Sequence, residues 1–397
     1  MKKLSDIACG IAPSATLAID ALAKQMKAEG IDVAAFGAGE PDFNTPDNIK
    51  QAGIQAILDN KTRYTPAAGL LMLRQAICDH IRSVHNLPYT PDNIVVTSGA
   101  KHAIYIALHA MCDPGDEVLL PAPYWVSYYE AIRSCGAVPV IMPTTEEDRF
   151  KISPQALREA ITDKTKCLIL CNPSNPTGVL YSREEQLALA EVVLEKDIYV
   201  ISDEIYSALT YVGEFVSFPS LGKGILEHVI SIRGVSKAYA MTGWRLGYAV
   251  ADLPIAKVMA SYVSHSTSAP STISQYAAYE AYTGDQTTIE AMRLEFDNRR
   301  RYFLQRAAAI PGIHCVEPDG AFYIFMNIQD QLGRTFFGEK VETSAQFAAS
   351  LLKNALVAVV PGSAFGMEGY LRWSYATDLE TIEKGLTRLA EFVKQGS

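Results

Sequence analysis

Between residues 94 and 250 the chain repeats one pattern: a short apolar run, then roughly ten to fifteen residues with apolar positions at helical spacing. The runs at 94–97, 117–120, 138–142, 167–171, 198–203 and 229–232 are continuous rather than alternating, and 245–250 is a seventh, strand-like run. A strand apolar on both sides must be covered on both sides, and strands linked through helices run parallel. The pattern therefore predicts an α/β fold on a mostly parallel sheet, with helices at 98–111, 125–134, 153–161 and 182–195. Ligands of such sheets bind beyond the carboxyl ends of the strands. Ser98, Gly99, the proline-rich loop 172–178, Asp203 and Lys237 all fall at or just past such ends.

The flanks read differently. Helical spacing covers 14–29 and 70–85, Thr45-Pro46 opens a helix to about 59, and 33–36 is a short strand leading into the turn Gly37-Ala38-Gly39. Beyond Ser271 come helices at 272–281, 290–309, 345–354 and 379–395, with short strands at 314–317, 321–327, 357–360 and 371–375. A chain of 397 residues is long for one core. The expected division is a large α/β domain over 46–285 and a smaller α+β domain formed by 1–45 and 286–397.

Composition removes several classes of function. The net charge is -9 and no Lys/Arg run marks a basic face, so neither nucleic acid nor an anionic membrane is expected as a partner. No apolar run approaches the ~20 residues of a membrane helix. The segment 1–6 lacks the apolar stretch of an export signal. The seven cysteines (Cys9, Cys78, Cys112, Cys135, Cys167, Cys171, Cys315) are scattered without C-x-x-C spacing, as reduced thiols of a cytoplasmic protein would be. The seven histidines show no ligand spacing, so no metal is expected.

What remains is a constellation. The helix opening at Ser98-Gly99-Ala100-Lys101 offers free N–H groups and a positive dipole end, a natural phosphate site, although no Walker A or G-x-G-x-x-G pattern is present. Asp203 closes an apolar strand, where its charge must meet a cation. That cation is either Lys237, as a structural ion pair, or a protonated ring nitrogen of a ligand. In the second case Lys237, set among small and apolar residues, is free to act as a nucleophile.

Ten stretches in order carry a resemblance: 39–43 (Gly-Glu-Pro-Asp-Phe), 64–66 (Tyr-Thr-Pro), 98–101 (Ser-Gly-Ala-Lys), 123–128, 172–178 (Asn-Pro-Ser-Asn-Pro-Thr-Gly), 202–206 (Ser-Asp-Glu-Ile-Tyr), 236–248, 320–323, 361–365 and 371–375. In these the chain resembles class I, fold-type I aminotransferases dependent on pyridoxal 5′-phosphate, and within them the prokaryotic aspartate-specific subgroup. The resemblance implies a seven-stranded large domain, and a homodimer with active sites at the subunit interface. It implies amino-acid and 2-oxo-acid substrates, with L-aspartate and 2-oxoglutarate foremost in a ping-pong reaction. Lys237 would bond the cofactor and move the substrate proton, and Asp203 would keep the ring nitrogen protonated. Asn175 and Tyr206 would donate to the ring oxygen, and Trp125 would stack on the ring. Gly99, Ala100, Lys101, Ser236 and Arg245 would hold the phosphate, with Tyr64 reaching in from the neighbouring subunit. Arg372 would fork the substrate α-carboxylate beside the Gly39 backbone, close to Trp125 and Asn175. For a distal carboxylate, Lys101, Thr16 and the hydroxyls at 264–268 are the candidates, His265 reading as plain surface. Ala12 stands where close relatives often carry a basic residue, which speaks against prephenate. Aromatic or alanine transamination and C–S β-lyase chemistry share these motifs; a non-enzymatic cofactor-binding regulator is the remote alternative, for which the chain shows neither extra length nor a basic patch to bind DNA.

Overall fold

The computed structural model describes residues 2–222 and 224–397. The seven runs form one sheet. Strands β1 (Ile94–Thr97), β2 (Glu117–Pro121), β3 (Val138–Met142), β4 (Thr165–Cys171), β5 (Tyr199–Asp203), β6 (Val229–Gly234) and β7 (Gly247–Val250) stand in the order β1-β7-β6-β5-β4-β2-β3. The pairs among β2 to β6 are parallel, whereas β7 runs antiparallel to both β6 and β1. Six strands therefore point one way and β7 alone the other. Because of that reversal, the entry to β7 lies at the same sheet edge as the exits of β1 and β6, with Thr97 and Gly234 both in register with Gly247.

The apolar runs are continuous because successive residues feed different cores. Val95, Val118, Leu120, Ile169, Ile201 and Ala249 pack under the helices Ala100–Met111, Val126–Ser134 and Leu253–Ser266. Their neighbours Ile94, Val96, Tyr248 and Val250 pack beneath the helices Leu71–His85 and Thr272–Thr283. Leu119, Leu168 and Val200 meet the helix Arg183–Lys196. That last helix starts in a capping box: Ser182 Oγ accepts from the Glu185 N–H at 3.2 Å, and Glu185 returns the contact to the Ser182 N–H at 2.7 Å.

A second, antiparallel sheet takes the order Val360–Pro361, Tyr370–Ser374, Tyr323–Asn327, His314–Cys315. Its core of Phe303, Phe322, Phe347, Trp373 and Leu389 is closed by the helices Thr287–Ala307, Ser344–Ala355 and Leu379–Lys394. The N-terminal segment packs on this unit: Ala34–Ala35 pairs in parallel with Val357–Ala358, and Ala23 of the helix Ala15–Ala28 meets Val33 and Ala358. Among the described residues no helix is long and apolar enough to cross a membrane.

The seventh run is shorter than its composition predicts, because Arg245 is left-handed (φ 53°) and β7 begins only at Gly247. Besides the short helix Asp6–Cys9 and several 3-10 turns, two elements have no counterpart in the sequence pattern. One is the helix Leu253–Ser266, although Asp252 before Leu253-Pro254 is a helix-start signal; the other is the hairpin Thr335–Phe336/Glu339–Lys340.

Candidate active site

A cavity of about 380 Å³ opens where the exits of β4, β5 and β6 and the N-terminus of the helix Ala100–Met111 meet residues 37–40 and Arg372. Eleven residues expected at the site line it: Gly39, Ala100, Lys101, Trp125, Asn175, Asp203, Tyr206, Ser236, Lys237, Arg245 and Arg372. Gly99 does not line the cavity but is the N-cap of the helix whose first residues, Ala100 and Lys101, do. Tyr64 is elsewhere, 95% exposed beside a surface groove formed with residues 62–65 and 269–273. Of the distal candidates Thr16 reaches the cavity, whereas the 264–268 hydroxyls sit at the end of the helix Leu253–Ser266, away from it.

At the phosphate end, the helix Ala100–Met111 has glycine at its N-cap, so no side chain caps it. Among the described residues the Ala100 and Lys101 N–H groups have no acceptor, and with the helix dipole they make an anion cradle. Arg245 leans over the same turn, its Nη1 donating to the Thr242 carbonyl at 2.9 Å. Two glycines permit this approach. A Cβ on Gly99 (φ 90°) would lie 2.7 Å from Arg245 Nη2, and one on Gly247 only 2.3 Å from the Ala100 nitrogen.

At the other end stand the charged groups. Lys237 Nζ donates to the Gly39 carbonyl at 2.5 Å, and burial, assisted by Arg372 and Arg245, lowers its pKa to about 8. The ion pair of Asp203 with Lys237 is not formed. Asp203 instead accepts from the Tyr128 hydroxyl at 2.6 Å and from the Ile205 N–H at 3.2 Å. Burial pushes its pKa up to about 6 against those two donors. Arg372 is buried and meets only neutral groups. It donates to Asn175 Oδ1 (3.2 Å) and the Gly37 carbonyl (2.7 Å), lies 4.6 Å from the Tyr323 ring centroid, and leaves Nε without a partner. The backbone acceptor beside Arg372 is thus Gly37, while Gly39 serves Lys237. Lys101, whose pKa burial lowers, holds its ammonium 5.0 Å from the Trp125 ring centroid. Tyr206 and Tyr323 share a hydrogen bond of 2.8 Å.

A buried guanidinium without a carboxylate is costly, as is a buried carboxylate facing only neutral donors. Both charges call for a ligand that brings the opposite sign to each: an anion at Arg372, a cation at Asp203. Tyr128 and Tyr323 were not singled out in the sequence reading. The available signal for Tyr128 is its place three residues after Trp125 in the same helical turn.

Comparison with known proteins agrees with this geometry. Residues 31–389 match the family model "Aminotransferase class I and II". The chain belongs to that family. It is 46% identical over 385 residues to the aspartate aminotransferase of Bacillus sp. (strain YM-2), covering 97% of each chain, and 45% identical to that of Bacillus subtilis (strain 168), covering 100% of each. The structure superposes on the aspartate aminotransferase from Rhizobium meliloti with TM-score 0.96, at 38% identity and with all of both chains covered. The chain is therefore an aminotransferase of the pyridoxal-phosphate-dependent class. Its cavity fits that cofactor. An uncapped helix end with Arg245 suits the phosphate, a carboxylate held by neutral donors suits the ring nitrogen, and an amine of lowered pKa suits the carbonyl carbon.

Proposed function

We propose that this chain transfers the amino group of L-aspartate to 2-oxoglutarate in a ping-pong reaction. The observation that carries the reading is Arg372, buried and unpaired by any carboxylate among the described residues, on the same cavity as Lys237 and Asp203. Pyridoxal phosphate, when bound, supplies a carbonyl for the amino group and a protonated ring that draws electrons from the substrate Cα. Arg372 takes the substrate α-carboxylate in a fork and so fixes the Cα–H bond relative to Lys237. Lys237, its amine made less basic by burial, would take the proton from the substrate Cα and hold it for return. Asp203 would hold the proton at the ring nitrogen, Asn175 and Tyr206 would serve the ring oxygen, and Trp125 would lie against the ring. The Ala100 and Lys101 N–H groups, Ser236 and Arg245 hold the phosphate.

Lys101 supports a dicarboxylate substrate, because its ammonium lines the cavity against an aromatic ring and forms no ion pair among the described residues. The names of the relatives favour aspartate in the same sense. We read 46–285 as the cofactor domain and 1–45 with 286–397 as the small domain, in a cytoplasmic homodimer. The exposure of Tyr64 suits a side chain that completes the site of a second copy. A panel of amino donors against 2-oxoglutarate, ranked by kcat/KM, tests this. Aspartate ranks first on this reading; a higher value for phenylalanine, tyrosine or alanine, or pyruvate and ammonia released without a keto acid, would overturn it.

A further inference from the structure

Two buried hydroxyls in the cavity wall have no role above: that of Tyr323, which shares a hydrogen bond with Tyr206, and that of Tyr128. Tyr128 is 2% exposed and lies in the first turn of the helix that follows Trp125. Its ring meets Trp125 edge-on at 5.3 Å, and its hydroxyl donates to Asp203 Oδ2 at 2.6 Å. Other groups around Asp203 are engaged elsewhere. The Cys171 thiol donates to the Pro173 carbonyl at 3.3 Å, Glu204 accepts from Ser202 and Ser217, and Lys237 donates to Gly39. Among the described residues, Tyr128 is therefore the only side chain donating to Asp203. One helix turn thus places two groups, Trp125 for the face of a bound ring and Tyr128 for the carboxylate at its nitrogen.

We propose that Tyr128 is a positioning residue whose hydroxyl keeps the Asp203 carboxylate ionised and oriented, and so keeps the proton on the ring nitrogen of bound pyridoxal phosphate. The proposal rests on the cofactor-facing role given to Asp203 above. A hydrogen bond donated to a carboxylate favours its charged form, and more so in a buried site. Without that bond, burial raises the proton affinity of Asp203. The proton shared between carboxylate and ring nitrogen then moves toward the carboxylate, and the ring becomes a poorer acceptor of electrons.

The test uses full-length protein carrying Tyr128→Phe, which removes one hydroxyl and keeps the ring. Apoprotein is titrated with pyridoxal phosphate by quenching of protein fluorescence, and the 15N shift of ring-labelled bound cofactor is recorded. Expected are a Kd raised about tenfold, a 15N signal displaced toward the unprotonated position, and a kcat lowered about tenfold with KM for aspartate within twofold. Tyr129→Phe, on the same helix but stacked on Tyr124 at 6.2 Å, leaves all three unchanged. A Tyr128→Phe protein with wild-type Kd and 15N shift overturns the proposal. Asp203→Ala measured in parallel separates the two ideas: no effect there defeats the role of Asp203 itself, whereas an effect there and none at Tyr128 defeats only this inference. If Tyr128→Phe does not fold, 3-fluorotyrosine at position 128 keeps the shape and strengthens the donor. Kd at or below wild type with a protonated 15N signal is then expected, and weaker binding with a displaced signal overturns the proposal.

Discussion

Replacing Arg372 by alanine removes the cation proposed to take the substrate α-carboxylate. Two parallel charged hydrogen bonds in a water-poor site contribute about 1.5–3 kcal/mol each. Loss of both is thus worth about 3–6 kcal/mol, and water entering the vacated space restores part of it. A value near 4 kcal/mol corresponds to about a thousandfold fall in kcat/KM for aspartate. The assay is steady-state transamination at several concentrations of each substrate. Cofactor absorbance and circular dichroism are recorded on the same samples, because Asn175 Oδ1 and the Gly37 carbonyl also lose their donor. If the protein stays folded and loaded with cofactor, yet kcat/KM falls less than tenfold, Arg372 does not bind the carboxylate.

Lys237→Ala should lower turnover by about four orders of magnitude and leave no cofactor-labelled peptide after borohydride reduction; turnover at the wild-type rate would refute its role. In cofactor-free protein, burial places the Lys237 pKa near 8, below the ordinary lysine value, so the amine is free above that pH and protonated below it. Its modification by an amine-directed reagent should therefore reach half its plateau rate near pH 8; a midpoint near pH 10 would show an ordinary lysine. Gly247→Ala forces a methyl against the Ala100 nitrogen, and should destabilise the protein by about 2–3 kcal/mol in denaturant titration while weakening cofactor binding. An unchanged midpoint and cofactor affinity would show that the cradle tolerates the Cβ.

The large sheet was legible because its strands are buried on two sides, a property written into Ile94, Val95 and Val96 as much as into Leu168, Ile169 and Leu170. So was the clustering of Asp203, Lys237 and the 98–101 turn, since each follows a strand in the pattern. The direction of β7 was not legible: four apolar residues read the same in either sense, and only pairing with β1 and β6 decides. Nor was the bond from Tyr128 to Asp203, which spans 75 residues and depends on how a helix is rolled against the sheet. Arg372 shows a third limit. Its strand is buried throughout, but no local signal says that an arginine there has no acid beside it.

The reversed strand has a consequence for how the protein is made. Among the described residues β1 pairs with no strand other than β7, which lies about 150 residues further along the chain. The helix end proposed to hold phosphate is carried by the turn after β1, and Arg245 comes only just before β7. A nascent chain still short of β7 therefore has neither the paired edge nor the arginine, however complete its earlier βα units are. On this topology the proposed cofactor cradle is complete only once β7 has paired between β1 and β6.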